Sequence, residues 1–237
     1  MSKHFVTTAH LQRMFLEQEK LNKKYNGENW RDGIQMGHMK TAYWDEVGEF
    51  ARELTPDWKW WSGKAKAKTI DFDKALYELI DVIHFGLMLI LFRHDITQVV
   101  FRLGLKPTIE ADMYGVVDDK YDHFIKANTR FLYSVAQHNL EQEIRNLLNV
   151  IETGCNVLGV QYADTVYYAY MEKNSLNHKR VEGGQLEGTY DKSTEVYNPL
   201  IDHPRSPYRP EGSGKVDCMY CNYGKNPCNE FCYGEDL

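Results

Sequence analysis

Four carboxylates stand where a helical core should exclude them. Glu46 and Glu49 share one segment, and Glu78 and Asp81 share the next. Each pair is spaced by three residues, which sets both acids on one side of a helix. Asp81 sits inside Leu79-Ile80-Asp81-Val82-Ile83, an apolar run that continues to Phe92. A carboxylate in such surroundings is costly unless a cation or a donor meets it. Two such pairs point to a shared cation.

Other candidates lie up and down the chain. His84 follows Asp81 by three and is placed either to reach a ligand or to be a satisfied core histidine. Lys173, Asn177 and Arg180 recur at four and three, so two cations and an amide share one stripe, a fit for phosphate oxygens. A basic last turn is also what the helix dipole favours. Trp58-Lys59-Trp60-Trp61, followed by Lys64, Lys66 and Lys68, reads either as a hydrophobic plug with a basic tail or as an aromatic wall beside phosphate-binding cations. Gln18 and Asn22, one turn apart, read from spacing alone as a solvated polar face.

These residues need helices to position them. The apolar periodicity predicts a helix from about Thr8 to Tyr25 with Thr8 as its N-cap, and a second from about Ile34 to Leu54 with Tyr43, Val47, Phe50 and Leu54 buried. A third runs from about Phe72 to His94, with Leu76, Leu79, Ile80, Ile83 and Leu87 on one face and Lys74, Glu78, Asp81, Phe85 and Met88 on the other. Asp95 caps a short helix ending at Gly104. Further helices are expected at about Asp118–Gln137, Asn139–Thr153 and Tyr162–Arg180. The fold class is all-α. The expected domain spans 1–192, a Pro- and Gly-rich linker 193–214, and a Cys-rich tail 215–237. In that tail Cys218, Cys221, Cys228 and Cys232 have near-ligand spacing for a structural Zn²⁺, or remain reduced thiols.

Composition bounds the partners. At 237 residues the chain can bury a full core, and a net charge of −6 argues against a general nucleic-acid binder. The first residues lack the apolar core of a secretory signal, and Leu79–Phe92 is short for a bilayer and carries Asp81 and His84. A cytoplasmic protein with no membrane partner is expected (host cytoplasm if viral).

The motifs together resemble the dimeric, all-α dUTPase family, within the all-α, MazG-like nucleotide pyrophosphatases. Glu46/Glu49 and Glu78/Asp81 match its Glu-x-x-Glu and Glu-x-x-Asp pairs, and Asp81-Val82-Ile83-His84-Phe85 its Asp-x-x-His-Phe continuation. Lys59-Trp60-Trp61, Gln18-x-x-Leu21-Asn22, Lys173-Asn174-x-x-Asn177-x-x-Arg180 and Gly188-Thr189-Tyr190-x-Lys192 follow its remaining elements. The resemblance implies a helical bundle with an irregular C-terminal arm, working as a homodimer. It implies one or more Mg²⁺ on Glu46, Glu49, Glu78 and Asp81, with water activated by Glu49, helped by Glu46. It implies phosphate contacts from Lys173, Asn177, Arg180, Tyr190 and Lys192, and a base and sugar pocket of Gln18, Asn22, Trp61, His84 and Phe85. The reaction would convert dUTP to dUMP and pyrophosphate, with dCTP or another pyrimidine deoxynucleotide as the alternative substrate. A helical scaffold with a metal-binding tail is the non-enzymatic alternative. The acidic segment that closes the family's arm has no clear match after Lys192.

Overall fold

The computed structural model describes residues 6–105, 119–160, 164–191, 193 and 195, all within one compact unit ending at Glu195. Lys192 and the four tail cysteines lie outside the described residues. Among the described residues there are nine helices and no strand, so the fold is all-α. They are α1 (Thr8–Asn26), α2 (Met36–Glu53), α3 (Thr55–Trp58), α4 (Gly63–Lys66), α5 (Phe72–Arg93), α6 (Ile96–Leu105), α7 (Lys120–Gln137), α8 (Leu140–Leu158) and α9 (Asp164–Glu182).

Helix α5 is the axis of the bundle. It packs on α2, α8, α9 and α1, while α7 lies along α8 and α6 on α1. Leu76, Leu79, Ile80, Ile83 and Leu87 are buried, whereas Glu78, Asp81, Phe85 and Met88 are only part-covered. The two faces expected from the sequence are therefore present. The full helix, 22 residues, is long and apolar enough to cross a bilayer, which corrects the reading based on Leu79–Phe92 alone. Since 72% of its apolar window is buried inside the fold, it is a core helix.

Close approach of α5 and α8 needs two glycines. A Cβ on Gly86 would lie 2.6 Å from a Leu147 methyl, and one on Gly154 would lie 2.5 Å from a Leu79 methyl. Removing the side chain lets the neighbouring leucine fill that space.

Side-chain caps fix the helix starts. Asp71, Asp119 and Asn139 accept hydrogen bonds from the first-turn amides of α5, α7 and α8. For α1 the cap is Thr7, whose hydroxyl accepts from the His10 amide at 3.1 Å. Thr8 is instead the first helical residue, because the hydroxyl one position earlier reaches the orphan amide. The Trp- and Lys-rich connection is not wholly irregular: it folds into α3 and α4, the latter capped by Ser62. Trp30 pins the loop before α2, donating from Nε1 to Glu19 Oε2 at 3.2 Å, and Arg31 Nε donates to the Leu91 carbonyl at 2.8 Å.

Candidate active site

Packing α2 against the part-covered face of α5 brings Glu46, Glu49 and Glu78 together. One carboxylate oxygen from each lies within 4.8 Å of the others. None of the three is fully buried. Glu49 also accepts from Arg52 Nη2 at 2.7 Å, and the neighbouring Glu53 is paired with Lys74 at 2.7 Å. Burial, then the charges of Asp81, Glu49 and Glu78, push the Glu46 carboxyl up to about 7. Burial and Asp81 likewise raise Glu78, against the pull of Lys173. Like charges held this close favour a proton or a cation between them.

Asp81 is on the same face but makes a different contact. Its Oδ2 is 2.8 Å from Lys173 Nζ, which reaches down from α9 and also lies 5.6 Å from the centre of the Tyr77 ring. Burial raises the Asp81 carboxyl despite the attraction of Lys173 and Arg180. The structure thus joins three of the four expected metal ligands, with the fourth paired to the first residue of the expected phosphate stripe. At the far end of the stripe Arg180 Nη1 donates to Asn177 Oδ1 at 3.0 Å, and desolvation and the Glu195 carboxylate raise the Tyr190 hydroxyl against the pull of Arg180.

Gln18 and Asn22 are not on a solvated face. Each is only 3% exposed, because they prolong the buried stripe of Leu11 and Met14 on α1. Gln18 Nε2 donates to Asn22 Oδ1 at 2.8 Å, and Gln18 Oε1 lies 2.7 Å from His84 Nδ1 and 3.0 Å from the Tyr170 hydroxyl. His84 stacks on Tyr170 with ring centres 4.3 Å apart. Burial, with Lys173 and His178 nearby, lowers the His84 imidazole to about 3, so the ring is neutral. His84 is therefore both buried and half satisfied: Nε2 and the Asn22 amide nitrogen have no hydrogen-bond partner. Buried polar atoms left open in this way mark a place for a polar ligand.

The remaining expected pocket residues are placed less closely. Phe85 lies on the part-covered face of α5. Trp61 is 58% exposed, and its ring packs edge-on with Trp58 and Trp60 at 5.7 and 5.6 Å.

A family model described as dUTPase matches residues 10–184. The chain belongs to that family. It is a dUTP diphosphatase, and the matched span takes in the acids of α2 and α5, the amides of α1 and the cations of α9. Tyr190 and Glu195 lie beyond it. No curated protein matches the chain.

The family generally uses a divalent metal. The residues present suit one: all three clustered donors are carboxylate oxygens, the ligand type of hard cations, and Glu46 is destabilised as an anion without one. Two residues of this region were not foreseen. Tyr170 was legible, since it precedes Lys173 by three and shares its stripe. Glu195 carried no spacing signal, because an irregular arm delivers it.

Proposed function

We propose that the enzyme hydrolyses dUTP to dUMP and pyrophosphate with Mg²⁺ held by Glu46, Glu49 and Glu78, joined by Asp81 once Lys173 is drawn to substrate. The observation that carries this reading is the gathering of three carboxylates from two helices beside a cationic stripe on a third. When bound, Mg²⁺ would supply charge neutralisation and polarise the scissile phosphate and the attacking water.

The chain's own groups do the rest. Glu49, with Glu46 beside it, orients the water and accepts its proton. Lys173, Asn177 and Arg180, with Tyr190 and Lys192, hold phosphate oxygens as charge develops. The neutral His84 ring and the Asn22 amide offer one acceptor and one donor to the base, Gln18 fixes their orientation, and Phe85 and Trp61 shield it. Asp81 links the two halves, since any movement of its carboxylate frees the Lys173 ammonium. Exposed Trp44, Trp60 and Trp61 favour a homodimer that covers them. The structural Zn²⁺ on the tail cysteines belongs to the proposal on spacing alone.

Incubation with each deoxynucleoside triphosphate and Mg²⁺, with product identification, tests the reading. The expected result is dUMP and pyrophosphate, abolished by chelation. Turnover of dCTP without dUTP would move the base assignment, and undiminished activity in chelator would remove the metal.

A further inference from the structure

One cation of the phosphate stripe is already occupied by an internal anion. Arg180 Nε and Nη2 donate to the two carboxylate oxygens of Glu195 at 2.8 and 3.0 Å, and Nη1 donates to Asn177 Oδ1 at 3.0 Å. The Glu195 side chain is 2% exposed and that of Arg180 12%, so this is an enclosed two-point pair and not a loose surface contact. Tyr190 feels both charges, Glu195 raising its hydroxyl and Arg180 lowering it. A guanidinium fork receives carboxylate and phosphate in the same side-by-side geometry. The two cannot use the Nε and Nη2 edge together.

Resting on the reading of Arg180 as a phosphate contact, we propose that Glu195 is an internal competitor for Arg180, which a phosphate ligand must displace and a polyphosphate displaces most readily. Its competition weakens every phosphate ligand by the same factor. A monophosphate offers a single group to recover that loss. A triphosphate or pyrophosphate recovers it by engaging Lys173 as well, and both cations act electrostatically on Asp81. Displacement requires little rearrangement upstream, because the start of the arm is held on α1. There Lys24 pairs with Glu182, and the Tyr25 hydroxyl donates to Gln185 Oε1 at 2.9 Å. Glu195 thereby favours release of the dUMP product over retention, while the incoming dUTP still binds.

The test is the affinity of inorganic pyrophosphate and dUMP for the full-length protein with Mg²⁺, for wild type, Glu195→Gln, Glu195→Asp and Arg180→Ala. Glu195→Gln is expected to tighten both ligands about tenfold, the equivalent of one charge-assisted hydrogen bond removed from the competing side. Glu195→Asp, too short for the fork, should shift them in the same direction, and Arg180→Ala should weaken pyrophosphate. Unchanged or weaker binding in both Glu195 variants, with Arg180→Ala still impaired, overturns the inference and leaves Arg180 as a phosphate contact. Binding insensitive to all three variants overturns both. A measurement on the wild-type chain needs no variant to fold: pyrophosphate should speed cleavage after Glu195 by a glutamate-specific protease, relative to cleavage after the exposed Glu187. Equal or slower cleavage at Glu195 counts against displacement.

Discussion

The two faces of α5 handle their neighbours in opposite ways. Toward α8 the helix is apolar and close-packed, with Leu79 seated over Gly154 and Gly86 under Leu147. Toward α2 it presents Glu78 to Glu46 and Glu49, so the same helix that anchors the core also gathers like charges. The first arrangement lowers the free energy of the fold as it stands. The second raises it and becomes favourable only when a cation arrives. One helix can carry both because the packed face, with its fully buried leucines and isoleucines, holds the backbone rigid while the other is strained electrostatically.

The sharpest way to break this comparison is on the acid face. Glu49→Gln is expected to lower kcat by about a hundredfold or more, with no fall in Tm. A variant with near-normal turnover would show that Glu49 does not handle the water. On the packed face, Gly154→Ala should destabilise the protein by about 1–3 kcal/mol in chemical denaturation, although alanine is the better helix former. If it is neutral, Leu79 has room that the packing does not suggest. Glu78→Gln should do the reverse of Gly154→Ala and raise Tm in metal-free buffer, because it removes one of the repelling charges. The gain should be small, since the site is part-exposed and water screens it. A drop in Tm would show that the acids are not in conflict.

The subtlest expected effect is in pH. The folded-state pKa of Glu46, about 7, is above its ordinary 4.5, so the folded chain holds that proton more tightly than the unfolded one. The contribution of Glu46 to the stability of the metal-free protein should therefore fall as pH rises from about 4.5 to about 7, and flatten above. Mg²⁺ binding should release a proton near pH 6 and almost none at pH 8, measurable by calorimetry in buffers of different ionisation enthalpy. Equal proton release at both values would place the raised carboxyl outside the metal site. His84, held at about 3 by burial against an ordinary 6.5, has the opposite sign: only the unfolded chain takes up its proton between those values, so it adds stability as pH rises to about 6.5 and offsets the Glu46 loss there.

Sequence alone determined the long helices and their faces, because apolar residues recurring at three and four admit few alternatives. It also determined that Glu46, Glu49, Glu78 and Asp81 were unusual, since a carboxylate among isoleucines is costly wherever that helix packs. What only the tertiary structure decided was the partner of each charged or polar group. Spacing along α1 could not tell that Gln18 and Asn22 face His84, because burial of an amide depends on what another helix places opposite it. Nor could it separate Asp81 from its three fellows, as Lys173 is far along the chain and meets it only through the packing of α9 on α5. Glu195 was the least legible of all: its capture by Arg180 follows from the path of an arm with no periodicity to read.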